Sequence, residues 1–179
     1  MSRPWKYTYP DEYCRTRGTK LFCQIDRGTS HTGSVRNEQG EVCWRYGPGP
    51  SIWSLKNPFK KADFVIADSD ARNEVIIRRE SFIPPVFNIV AKGRIVGAIR
   101  LISIFRNRYS ISIDGANPLV FCMPLYRMFF FGASNLGIET WVRIHPTERE
   151  WNILLKPGSA QWPLIAALAF IHNERYRYG

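Results

Sequence analysis

The chain has 179 residues, with 25 Lys and Arg against 15 Asp and Glu for a formal charge of +10, and 45% of its residues are apolar. That length suits one domain, or one domain with an appended arm, and lets a compact fold bury about 70% of the surface its unfolded chain exposes. Such a composition excludes a wholly disordered, collagen-like or coiled-coil chain.

Eighteen of the cations are arginine, whose planar guanidinium suits bidentate contacts to phosphate or carboxylate. The excess is uneven. Arg72, Arg78, Arg79, Lys92, Arg94, Arg100, Arg106 and Arg108 face only Glu74 and Glu80 in the same stretch. This points to an anionic partner; the plainer alternative is a solvated face kept soluble by its charge. Cys14, Cys23, Cys43 and Cys122 show no paired short spacing and read as reduced thiols. The start, Met1-Ser-Arg-Pro-Trp-Lys-Tyr7, lacks the apolar run of a secretory signal. The longest apolar run, Trp162 to Ile171, is about half of the ~20 residues that a spanning helix needs. The expectation is a cytoplasmic protein, peripheral at a membrane if it meets one.

Residues 1–19 read as an N-terminal arm with little order, and 20–179 as a single domain. The first 60 residues are rich in turn formers, Gly18, Gly28, Gly33, Gly40 and Gly47-Pro-Gly-Pro-Ser51, and admit only short strands. Lys20 to Asp26 alternates in polarity, and Ser34 to Asn37 with Glu41 to Tyr46 forms a hairpin around Asn37-Glu-Gln-Gly40. Past Ala62 the pattern is consistently β. Phe64 and Ile66 lead into the turn Asp68-Ser-Asp-Ala71, and Val75 to Arg79 follows. Val86 to Ala91 and Arg94 to Ile104 then flank Lys92-Gly93, a two-residue hairpin turn.

Tyr109, Ile111 and Ile113 alternate with serines before Asp114-Gly115, the mark of a half-buried strand. Pairing Phe105 with Tyr109 would set Leu101 against Ile113 and Ser103 against Ile111 on the core side. Arg94, Arg100, Arg106 and Arg108 would then share the outer face. Further strands fit Leu119 to Cys122, Leu125 to Phe131, Ile138 to Ile144 and Trp151 to Lys156, about twelve in all.

Only the C-terminus, about 162–174, reads as a helix. Pro163 suits a first helical position, and Leu164-Ile-Ala-Ala-Leu-Ala-Phe-Ile171 offers no polar position, so the helix must be covered on every side. From Pro163 to Asn173 it would be about 16 Å long, the height of a strand layer. Many antiparallel strands and one slender apolar helix predict a mainly β fold: an antiparallel closed β-barrel of about twelve strands around a buried C-terminal helix. A two-layer sandwich with the helix on one side is the competing arrangement, and the missing polar helix face argues against it.

Three stretches together resemble the tubby C-terminal-like superfamily, which includes the tubby, LURP-one-related and phospholipid scramblase families. They are the Gly-turned hairpins with Gly93-Arg-Ile-Val-Gly97-Ala-Ile-Arg100, then Tyr109-Ser-Ile-Ser-Ile-Asp-Gly115, and Trp162-Pro-Leu-Ile-Ala-Ala-Leu-Ala-Phe-Ile-His172 at the end. The resemblance runs from about Lys20 to the end. It implies a twelve-stranded barrel around a buried terminal helix and, from the tubby branch, binding of phosphoinositide head groups through basic residues. No stretch matches the tubby lipid-binding motif. The acidic calcium segment of scramblases is replaced here by Lys156-Pro-Gly-Ser-Ala-Gln161, which holds no carboxylate. The LURP-one-related group is nearest in length.

The candidate ligand residues form two clusters. Lys56, Lys60 and Lys61 interleave with Trp53 and Phe59, rings that insert at a bilayer interface while lysines meet anionic head groups. Arg78, Arg79, Arg94, Arg100, Arg106 and Arg108 form the second cluster, suited to phosphate. The expected partner is an anionic lipid or another acidic surface. Two other readings compete: an intracellular structural or protein-interaction scaffold without a small ligand, and single-strand nucleic-acid binding, for which no recognition motif is present.

No catalytic motif, cofactor fingerprint or metal site is expected. Cys14, Cys23, His31 and Cys43 have zinc-ligand chemistry but spacings of 9, 8 and 12. Asp68 and Asp70 read as turn formers, His145 as an exposed turn residue, and His172 as a cap on the helix-end carbonyls. Met128-Phe-Phe-Phe131 makes both faces of its strand apolar, which needs either a covering loop or a neighbouring chain.

Overall fold

The computed structural model describes residues 10–26, 32–48, 63–70, 72–103, 108–122, 129–145, 149–159 and 161–178. Twelve strands follow one another around a closed barrel, each pairing antiparallel with its chain neighbours, and the first pairs with the last. They are β1 Thr19–Ile25, β2 Gly33–Arg36, β3 Val42–Pro48, β4 Phe64–Asp68, β5 Glu74–Phe82 and β6 Pro85–Ala91. β7 Arg94–Ser103, β8 Arg108–Ile113, β9 Leu119–Cys122, β10 Phe129–Ser134, β11 Gly137–Ile144 and β12 Glu150–Leu155 complete the wall. Closure leaves no unpaired edge.

Alternation builds the wall. Val75 and Ile77, Ile89, Ile99, Ile111 and Phe121 face the lumen and are buried. So are Val142 and Ile144, with Trp151, Ile153 and Leu155 beside them. Down the lumen runs α2, Trp162–Tyr178, lying against β1, β5, β7 and β8. Every residue from Leu164 to Asn173 is buried. The expected buried plug is therefore present, and its helix ends at Tyr178, four residues later than the sequence pattern suggested. Ala166, Ala167 and Ala169 have no exposure and keep the helix thin enough for the wall to close on it.

Aromatic rings fill what the alanines leave. Trp162 stacks on Trp44 at 5.7 Å where the helix begins. Phe170 meets Phe64 at 5.4 Å and Phe87 at 4.8 Å farther along, and His172 lies 4.7 Å from Trp151. These contacts give the barrel two ends. The base, where α2 starts, carries the turns β2–β3, β4–β5, β6–β7, β8–β9 and β10–β11. The rim, toward which α2 runs, is formed by the opposite strand ends and includes the β5–β6 turn.

Several expectations are corrected here. A second helix, α1 Glu12–Arg17, precedes β1, with Asp11 as N-cap accepting from the Cys14 amide at 2.7 Å. β10 lies later than expected, at Phe129–Ser134. The β7–β8 pairing is four residues away from the expected register: Leu101 opposes Tyr109, Ile99 opposes Ile111 and Gly97 opposes Ile113. Phe105 lies outside the described residues, and a four-residue offset preserves which side each residue faces, so the core pattern is satisfied either way. His172 is not a terminal cap. It is fully buried, with its Nδ1 at 2.9 Å from the Tyr46 hydroxyl.

The Lys92-Gly93 turn is as expected, both residues having positive φ (49° and 72°), which matches the twist of a two-residue hairpin. Asp68 closes the β4–β5 turn as read, accepting from the amides of Arg72 and Asn73 and from the Asn73 side chain. Cys14 is buried between α1 and the wall and Cys23 inside the lumen, so these two thiols do not converge; His31 lies outside the described residues.

Candidate functional site

Lys56, Lys60, Lys61, Trp53, Phe59 and Arg106 lie outside the described residues. The other five candidates separate by position. Arg78 projects outward from β5 opposite Asn88, and its Nε and Nη2 both donate to Asp63 Oδ2, at 3.1 and 3.0 Å. Its charge is already matched. Arg79, one residue on, occupies the core-facing side opposite the buried Phe87, with its guanidinium carbon 5.1 Å from the ring centroid. That corrects the expected outer placement: a guanidinium is hydrated weakly enough to rest on an aromatic face near the rim.

Arg94 is corrected as well. A register shift between Ile89 and Val90 places it opposite Ala91, on the core-facing side of the sheet and at the base, beside the Lys92-Gly93 turn. Arg100 lies six residues farther along β7, about 20 Å away at the rise of an extended strand.

Arg100 and Arg108 do come together. Arg100 is exposed on the outer face opposite Val86 and Ser110; Arg108, opposite Ser103 and Cys122, is two residues from Ser110 on the same face. Diagonal partners of this kind are roughly 7–8 Å apart. Among the described residues neither has a carboxylate or hydrogen-bond partner, and Arg108 Nε is shielded from water with nothing to donate to. Two unmatched guanidiniums on one face form a cradle for an anion with several acceptor oxygens.

The pair is flanked by apolar side chains that the sequence reading did not single out. Ile83, in the β5–β6 turn, is 94% exposed, and Ile102, at the irregularity between Leu101 and Ser103, is 53% exposed. A bulge re-aims a side chain, which is how an isoleucine on a half-buried strand reaches solvent. Ile83 was findable: it precedes Pro84-Pro85, residues with no amide to give a sheet ladder, so it had to sit in a turn.

The lumen side of this rim is chemically quiet. Burial pushes the Cys23 thiol up to about 12, keeping it neutral and unreactive at ordinary pH, and raises Tyr46 as well. Among the described residues no His, Cys, Asp and Glu group could hold a metal ion, and no helix is long and apolar enough to cross a membrane. Compared with protein-family models, curated proteins and solved structures, the chain matches none.

Proposed function

We propose that this is a non-enzymatic, tubby-like barrel that binds anionic lipid head groups at its rim and docks peripherally on the cytoplasmic face of a membrane. The observation that carries the reading is the unmatched Arg100–Arg108 pair with Ile102 and Ile83 exposed around it. Guanidiniums take phosphate oxygens, and a protruding isoleucine gains by leaving water for the acyl boundary, about 0.8 kcal/mol per buried methylene. The closed twelve-stranded wall around a C-terminal helix supports the proposed kinship with tubby, LURP-one-related and scramblase proteins, and through it phosphoinositides as the lipid class. Trp53, Lys56, Phe59, Lys60, Lys61 and Arg106 fall in the sequence between β3 and β4 and between β7 and β8, outside the described residues.

Sedimentation with vesicles tests this. Phosphatidylcholine vesicles should leave the protein in solution, while vesicles with added phosphatidylserine or phosphoinositide should carry it down. Raising salt from 0.1 M toward 1 M should weaken capture as the screening length falls from about 10 Å to 3 Å. Equal behaviour on neutral and anionic vesicles would remove the proposal.

A further inference from the structure

The base of the barrel holds a cleft of about 260 Å³ between β8, β10, β11 and the segment leading into α2. Its depth is apolar, formed by Ile111, Leu119 and Leu164, all buried, with Leu136 as an exposed lip. Its mouth is polar and includes Asn117, Gln161 and Glu139. Among the described residues, Glu139 is the one charged side chain lining the cleft. The volume is below the roughly 300–1,000 Å³ of sites that take drug-sized molecules, so the occupant is small.

Glu139 is fixed but not neutralised. Its Oε1 accepts from the Ser134 hydroxyl and its Oε2 from the Ser159 hydroxyl, each at 3.0 Å. Ser134 in turn accepts from the Leu136 amide at 3.0 Å, which fixes the hydroxyl proton toward the carboxylate. A carboxylate has about four lone-pair sites, so two hydroxyls leave half of them open. Among the described residues no Lys or Arg pairs with it. Lys156 donates its amide to the Glu139 carbonyl, and its side chain forms no ion pair with Glu139. Asp114, next in sequence to the lining Gly115, is exposed.

We propose that this cleft is a second ligand site, for a small organic cation: a primary ammonium against Glu139 and a short aliphatic chain over Ile111, Leu119 and Leu164. A preoriented carboxylate above an apolar recess matches both halves of such a molecule, and an aliphatic carboxylate of the same length fits only one. The site is at the opposite end of the barrel from Arg100 and Arg108 and does not depend on them.

The test uses n-pentylamine, with n-pentanol and pentanoate as matched controls, titrated into the full chain while the amide resonances of Leu136, Ser159 and Leu164 are followed. Pentylammonium should shift them in a saturable way and pentanoate should not. Glu139→Gln, which retains hydrogen-bonding contact with both serines, should weaken binding about tenfold or more through loss of the charge. Leu136→Arg, at an exposed turn position, should also abolish binding by placing a tethered cation beside Glu139, and it decides the matter if the first variant does not fold. Equal shifts with pentanoate or pentanol, or undiminished binding in these variants, would overturn the proposal. Arg100→Gln/Arg108→Gln should leave amine binding unchanged, which separates failure here from failure of the lipid reading.

Discussion

Ala167 lies within the plug, with no exposure and no polar side-chain atom. Ala167→Glu would place a carboxylate where water does not reach, so a loss of several kcal/mol is expected, visible as a collapse of the melting temperature; unchanged melting would mean that α2 is not enclosed. Asp68 offers the opposite test, of a charge that the fold uses. Desolvation pushes its carboxyl up, but hydrogen bonds from the Asn73 side chain and the amides of Asn73 and Arg72 outweigh it, so the folded pKa is lowered. A lowered folded pKa contributes stability above the unfolded value of about 3.9 and loses it as pH falls through the folded one. The stability gap between the protein and Asp68→Ala should therefore be constant near neutrality and narrow below about pH 3.9. A gap that persists into strong acid would show that the charge does not close the turn. Both residues could be read from sequence, Ala167 from an unbroken apolar run and Asp68 from a turn between strands. The inward side of Arg79 was legible too, since it alternates with Val75 and Ile77, but its partner Phe87 on the next strand was not.

At the level of elements, alternation carries most of the fold, and bulges limit what it can convey. Ile99 and Ile111 facing inward put Arg100 outward whichever register is used, so that assignment survived a four-residue error. Arg94 did not survive, since the shift between Ile89 and Val90 reverses sides without leaving a mark on the apolar pattern. α1 escaped because six residues are too few for helical periodicity; Asp11 before it and Gly18 after it were its only signals. The Glu139 cleft draws on β8, β9, the β10–β11 hairpin and the segment leading into α2, so its lining is scattered from Ile111 to Leu164 and only the Ser134–Glu139 contact is local. Gly132 shows how tightly neighbouring strands are matched: a Cβ there would be 2.4 Å from the Phe121 ring and 2.8 Å from Thr140 Cγ2. Gly132→Ala should therefore cost roughly 1–3 kcal/mol by overpacking. Adding Phe121→Leu should recover part of that loss, measured as non-additivity in a denaturant-unfolding cycle, whereas strict additivity would mean that the ring and the glycine are not coupled.

Taken as one object, the barrel is polarised: the Glu139 cleft marks the base, and the unmatched arginines with Ile83 and Ile102 mark the rim. Net charge alone would let either end, or the whole wall, meet an anionic membrane. If position rather than total charge governs docking, two neutralisations at the rim should count for far more than one of equal chemistry at the base. Near an acidic surface each basic residue is worth about 1 kcal/mol, so Arg100→Gln/Arg108→Gln should weaken binding to anionic vesicles by about 2 kcal/mol, roughly thirtyfold. Arg94→Gln, at the base, should change it by less than about twofold, because its distance from the rim exceeds the screening length at ordinary salt. Ile83→Ser should weaken binding without altering the salt dependence, since it removes apolar insertion and no charge. Vesicle partition of all three variants at two salt concentrations measures these effects together. Equal losses from the Arg100/Arg108 and Arg94 variants, corrected for charge number, would mean that the protein meets lipid through its overall field and that the rim has no special part in it.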